Sequence, residues 1–257
     1  MATKTKRNPW RVEAPGVSPK LRKAFPTFRS HETTSAANRL LMTSTSADVP
    51  FAPSQAVVNW RSVTPSPGDQ GSFNTCTSFA VVSVIETLHY LRYHTTIKLA
   101  PSYIHSCLLG LKLTAPASPL TVLNAVAAAG VAYGFPNDYP FPTDHCPTGN
   151  IYRVSHCAEI PTVDEAIKTL AFQGPVVADM FIDPSFFNLQ SGEIYQYRPS
   201  EDDRLHSVAV VGYDLNQRCW FIANSFGEGW CDNGFARVAF GSGGLLDTRS
   251  GWKILLQ

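Results

Sequence analysis

The chain has 257 residues, 44% of them hydrophobic and 16% charged, with nineteen prolines, seventeen glycines and a formal net charge of +1. That apolar share is enough to bury a core without dense disulfides or metals, and it excludes collagen, coiled coil and chain-wide disorder. No run reaches the roughly 18–20 apolar residues of a spanning helix, and the first thirty residues lack a Sec-type apolar core. The expected location is therefore the cytoplasm or export by a specialised route.

The near-zero total hides an uneven distribution. Residues 1–31 carry eight Lys or Arg against the single acid Glu13, so this arm holds +7 and the rest of the chain −6. Residues 1–52, rich in Lys, Arg, Pro, Ser and Thr, are read as an arm that docks on the cleft of the body as a short autoinhibitory or gating segment, with a targeting signal or a solvated tail as the alternatives. At Val57–Trp60 the composition turns apolar, and Thr64–Gln70 is a Pro/Gly/Asp loop.

Three-to-four spacing of Val81, Ile85 and Leu88 predicts a buried helix from Cys76 to Arg92, with Asn74 or Thr75 as its N-cap. Pro101–Leu111 and Leu120–Ala129 read as helices, the second stopped by Gly130, and Val131–Pro147 as loop. Thr162–Gln173 is amphipathic, with Asp164 and Glu165 in its first turn. Then the character changes: Val176–Ile182, Ser207–Tyr213, Cys219–Ala223 and Gly234–Phe240 are β-branched or aromatic runs between turn residues. A helical half followed by a β half gives an α+β class with a cleft between the two. The domain is placed at 53–257, its helical lobe at about 70–160 and its β lobe at about 161–257.

Unpaired N–H groups and the positive dipole end favour the thiolate of a cysteine that begins a helix, and Cys76 is placed that way. Gln70 stands six residues earlier, where its amide could donate to an oxyanion together with the Cys76 N–H. His206 opens an apolar strand 130 residues after the cysteine, and Asn224 follows the next strand. A thiol, an imidazole and an orienting amide form a complete acyl-transfer set that needs no metal or organic cofactor.

Four segments carry a resemblance to the papain-like cysteine peptidases: Val58-Asn59-Trp60-Arg61, Gln70-Gly71-Ser72-Phe73-Asn74-Thr75-Cys76-Thr77-Ser78-Phe79-Ala80, His206 to Tyr213, and Asn224-Ser225-Phe226-Gly227-Glu228-Gly229-Trp230. The resemblance covers roughly residues 55–257 and implies a two-lobed papain-like α+β fold, with a β-barrel-like right lobe, in a divergent member of the family. It implies Cys76 as nucleophile, His206 as general base and acid, Asn224 as the group orienting the imidazole and Gln70 in the oxyanion hole. The implied activity is a cysteine endopeptidase acting on polypeptides. An acyl transferase or peptide ligase on the same scaffold, and a catalytically silent binding protein, are the alternatives.

Departures from the family pattern matter too. Phe73 and Thr77 stand where the family usually has a cysteine and an aromatic, so one family disulfide is missing. Phe226 replaces the tryptophan that shields the Asn–His hydrogen bond, and Pro116-Ala117 replaces a glycine pair along which substrate lies. By that resemblance Ala117, Ser118, Pro119, Leu205, Ser207 and Phe226 are the expected substrate-binding residues, and Ser118, Pro119, Leu205 and Ser207 among them suggest an apolar pocket for the residue preceding the scissile one. Cys107 and Cys146 match a second family disulfide, with two reduced thiols as the alternative, while Cys157, Cys219 and Cys231 are expected to be free. Trp60 and Trp230 are read as core aromatics, and His31, His89, His94 and His105 as structural or solvated.

Overall fold

The computed structural model describes residues 55–134, 146, 149–247 and 250–257. The basic arm lies outside the described residues. Thirteen labelled elements follow in chain order: β1 (Val57–Asn59), α1 (Cys76–Tyr93), α2 (Pro119–Ala129), β2 (Val131–Ala132), β3 (Ile151–Tyr152), β4 (Val154–Ile160), α3 (Val163–Phe172), β5 (Val176–Ile182), β6 (Ile194–Tyr195), β7 (Arg204–Asp214), β8 (Cys219–Ala223), β9 (Phe235–Ala239) and β10 (Gly251–Leu256).

The main sheet runs β4-β10-β5-β7-β8-β9-β6, with β1 paired to the far end of β7, and its pairs are antiparallel except β6 with β9. Thus β1 and β4, from either side of the helical stretch, join strands from the C-terminal half. The long strand β7 is shared: β5 lies along Arg204–Val210 and β1 along Gly212–Asp214. Only glycine fits at Gly212, because a Cβ there would come within 2.0 Å of the Val58 carbonyl oxygen.

Alternation along the strands splits the core in two. Ala209 and Val211 of β7, with Val177 of β5, face α1 and meet Val81, Val84, Ile85 and Leu88. Val208 and Val210, with Val176, Ala178 and Met180, face the opposite side and meet Ala166 and Leu170 of α3 and Trp220 of β8. Each fully buried Val, Leu or Ile contributes roughly 1.5–3 kcal/mol. With both faces covered, β7 is held rigidly, and so are the residues at its start. Along the α1 face the pattern Ala209, Ser207 and Val177, Asp179 turns polar toward the N-terminus of α1.

Helix α1 matches expectation in extent but not in capping. Thr75 occupies the cap position without a side-chain capping bond, and the Asn74 side chain donates instead to the Thr114 carbonyl at 2.6 Å. The predicted helix at Pro101–Leu111 is a π-helical stretch over Tyr103–Leu108. In the wider turn His105 is buried, its Nε2 2.9 Å from the Ala115 carbonyl and 3.2 Å from that of Lys112. Ser118 caps α2 by accepting from Thr121 N–H, and Thr162 caps α3 by accepting from Glu165 N–H. Cys107 and Cys146 are disulfide-bonded with Cα atoms 5.7 Å apart, while Cys76, Cys157, Cys219 and Cys231 are free. Trp60 donates to the Leu170 carbonyl and Trp230 to that of Phe186.

Candidate active site

Three elements converge where the polar end of the sheet meets α1. Cys76 is the first residue of α1, whose first turn holds no acidic side chain, so the positive end of the helix dipole is left for an anion. His206 is the third residue of β7 and Asn224 follows β8 directly; the pairing of Ala209 with Ala223 aligns the two strands so that both side chains come to one edge.

His206 Nε2 lies 2.7 Å from Asn224 Oδ1. That oxygen only accepts, so Nε2 carries the hydrogen and Nδ1 is the nitrogen left for exchange with the neighbouring Cys76 thiol. Dense packing pushes the Cys76 thiol up, but the hydrogen bond and positive charge of His206, joined by Ser207 N–H, outweigh this and bring it below the ordinary thiol value. Burial pulls His206 down, and Cys76 and Asn224 more than reverse it, so its value is raised. The shifts are opposite in sign, and both favour a thiolate beside an imidazolium.

Aromatic rings shield this pair from water. Phe226 lies over the imidazole with ring centroids 5.0 Å apart, Phe187 stacks on Phe226 at 5.5 Å, and Phe186 meets His206 edge-on at 5.9 Å. Phe226 is thus a flat cover for the His206–Asn224 bond.

Gln70 is 5% exposed and tied to the residue after Asn224: Gln70 N–H donates to the Ser225 carbonyl at 2.8 Å, and the Ser225 hydroxyl donates to Gln70 Oε1. One amide hydrogen of Gln70 goes to the Phe73 carbonyl at 2.6 Å. The second could be given to a bound acceptor, and the bonds to Ser225 tie the loop carrying Gln70 to the strand end carrying Asn224.

The positions expected from the sequence to bind substrate are more polar than that expectation. Ser207 is buried on the α1 face, donates to Asp179 Oδ1 at 2.5 Å and lies 2.8 Å from Thr77 Oγ1, which donates to the Ala117 carbonyl at 2.9 Å. Each hydroxyl has one hydrogen, so all three contacts are hydrogen-bonded at once only when the Asp179 carboxyl is protonated and donates to Ser207. Asp179 is 5% exposed, and burial raises its carboxyl to about 7 despite the bond from Ser207. Leu205 is 45% exposed, and Pro119 is buried in the first turn of α2. Sequence reading passed over Asp179 and Ser225. A carboxylate inside the run Val176–Ile182 was the available signal for the first; the second had none, because its role depends on where Gln70 lands.

Among the described residues no group of His, Cys, Asp and Glu is arranged to hold a metal ion, and no helix is long and apolar enough to cross a membrane.

The family model described as papain family cysteine protease matches residues 54–250. Among curated proteins, gamete and mating-type specific protein A of Dictyostelium discoideum is 25% identical over 72% of this chain and 42% of its own length. Cathepsin 7 of Mus musculus is 26% identical over 67% of this chain and 56% of its own length. The matched region therefore spans about half of those relatives. Among solved structures, digestive procathepsin L 3 of Tenebrio molitor superposes with a TM-score of 0.67 at 21% identity, covering 81% of this chain and 73% of that one. The bromelain protease of Ananas comosus, in complex with the E64 inhibitor, gives 0.66 at 19% identity, covering 79% of this chain and 100% of that one.

Proposed function

Because the chain belongs to the papain family of cysteine proteases, we propose that it is a cysteine endopeptidase working through a Cys76–His206 ion pair. The single observation that carries this reading is that His206, held by Asn224 Oδ1 at 2.7 Å, interacts with Cys76 at the start of α1 so that the thiol is lowered and the imidazole raised.

The Cys76 thiolate attacks a peptide carbonyl, and its electron pair forms the C–S bond while the carbonyl π pair moves to oxygen. Gln70 and the Cys76 N–H donate to that oxyanion. His206 then gives its proton to the leaving amine as the C–N bond breaks, which leaves a thioester and a neutral imidazole. A water molecule loses a proton to His206 as it adds to the thioester carbon. Collapse of the second tetrahedral species expels the thiolate and releases the acid. Asn224 keeps the ring aligned through both halves, and Phe226 keeps competing water off the Asn–His bond.

Incubation with a peptide library and with an epoxide peptide tests the reading. The expected result is cleavage by the wild type, none by Cys76→Ala, and epoxide labelling confined to Cys76. An unlabelled Cys76 at neutral pH, with other thiols reacting, would overturn it. The same reading gives residues 1–50 a gating role, supported by the +7 to −6 charge division along the chain. Deleting them should raise the cleavage rate on a short peptide, and an unchanged rate removes that role.

A further inference from the structure

Behind the catalytic loops lies a cavity of about 320 Å³, lined by neither Cys76 nor His206. At about 30 Å³ per water it has room for about ten, or for a small organic molecule. One wall is a face of α1 carrying Phe79, Ser83 and Glu86; the opposite wall is Ala223–Ser225, and the rim includes Pro65–Asp69. The Phe79 ring reaches this wall because residue 68 is glycine, where a Cβ would stand 2.7 Å from the ring.

The charge in the cavity is poorly matched. Glu86 is 3% exposed, and one carboxylate oxygen accepts from Leu99 N–H at 2.7 Å. The other lies 3.7 Å from the ammonium of Lys98, a side chain 47% exposed. That is an ion pair beyond ordinary hydrogen-bond length, held by a group that water also solvates. Burial accordingly raises the Glu86 carboxyl to about 7, against the pull of Lys98 and Leu99. The Ser83 hydroxyl, one turn earlier on the same face, and Asn224 Nδ2 on the opposite wall are buried without a hydrogen-bond partner among the described residues. Lys98 and Asp69 are the other ionisable groups lining the cavity, and Asp69 Oδ1 already accepts from Gly71 N–H.

We propose that this cavity binds a small organic cation with an apolar body, the cationic head pairing with Glu86 and the body lying against Phe79. An anion would have only the half-exposed Lys98 to pair with against the carboxylates of Glu86 and Asp69, and a neutral molecule would leave the buried carboxylate as it is. A flat amidinium supplies two parallel donors to the carboxylate and a face for the ring. Occupancy bears on the loop leading to Gln70, on the strand end carrying Asn224 and on Ser207, all of which line the cavity, so it acts on catalysis without touching Cys76 or His206. That effect rests on the peptidase reading above; the binding does not.

Calorimetric titration with benzamidine, and with benzyl alcohol as its uncharged counterpart, tests the proposal without turnover. Benzamidine should bind one-to-one, with an affinity that rises about tenfold from pH 6 to pH 8 as Glu86 ionises. Glu86→Gln should cost at least about tenfold, and Ser83→Leu, which fills the cavity, should abolish binding in a protein whose circular dichroism matches the wild type. Benzyl alcohol should not bind. Equal affinity in wild type and either folded variant, or no binding at about 20 mM benzamidine, overturns the proposal. Binding of benzamidine by a protein that cleaves no peptide leaves this site standing and removes only the effect on catalysis.

Discussion

Asp179 changes the chemistry expected of the site more than any other single residue. Its carboxyl is joined to Ser207, and its negative charge raises both Cys76 and His206. Burial raises that carboxyl to about 7, so the charge develops as pH passes through neutrality. Asp179→Asn keeps an acceptor for the Ser207 hydroxyl and removes only the charge. The expected outcome is that both limbs of kcat/KM move to lower pH, because the charge removed raises both Cys76 and His206. The rate of Cys76 alkylation by iodoacetamide, followed against pH, gives the same limbs without a peptide substrate. Limbs that stay where they are in the wild type would mean that the carboxyl carries no charge felt by the pair.

At the scale of elements, legibility followed periodicity. The apolar spacing of α1 and the β-branched runs of β5, β7 and β8 were plain in the sequence, and they alone bring Cys76, His206 and Asn224 to one edge. The π-helical stretch at Tyr103–Leu108 reads as ordinary helix, because the choice between its wider turn and an α-helix rests on the tertiary partners of His105. Likewise, whether Asn74 caps α1 or bonds Thr114 depends on a loop forty residues away. The Asp179–Ser207 bond requires the register of β5 on β7, and the cavity beside Glu86 requires the packing of loops against a helix; neither is a property of a local run. The disulfide joins the π-helical stretch to a segment beyond α2, across a sequence separation of 39 residues. By loop-closure entropy its removal costs about 4 kcal/mol. Cys107→Ser should therefore lower the denaturant midpoint substantially while leaving the pH limbs of cleavage in place, since the bridge touches neither β7 nor β8. A loss below about 1 kcal/mol would show that the reduced chain is already closed there by other contacts.

Over the whole molecule, the two carboxyls buried beside α1 set how stability varies with pH. An acid near 4 in the unfolded chain and about 7 in the folded one binds its proton more tightly when folded. Stability then falls as pH rises between roughly 4 and 7, by about 1.4 kcal/mol for each unit separating the two values. Glu86 and Asp179 both act in this sense and in this window. Asp183, Asp214 and Asp232 act oppositely, because hydrogen bonds hold them below the usual carboxylate value, and their contribution disappears only as pH falls below about 4. His89 and His105, lowered by burial, also favour higher pH, but over the narrower interval just below the ordinary histidine value. Wild type should accordingly lose melting temperature from pH 5 to pH 8, and the Glu86→Gln, Asp179→Asn double variant should lose much less. The difference between the two melting curves reports the buried carboxyls together with Cys76 and His206, whose titration the Asp179 charge shifts. Parallel curves across that range would mean that neither carboxyl keeps its proton in the folded protein. A charged Glu86 would then have to be matched by Lys98 far more closely than 3.7 Å allows.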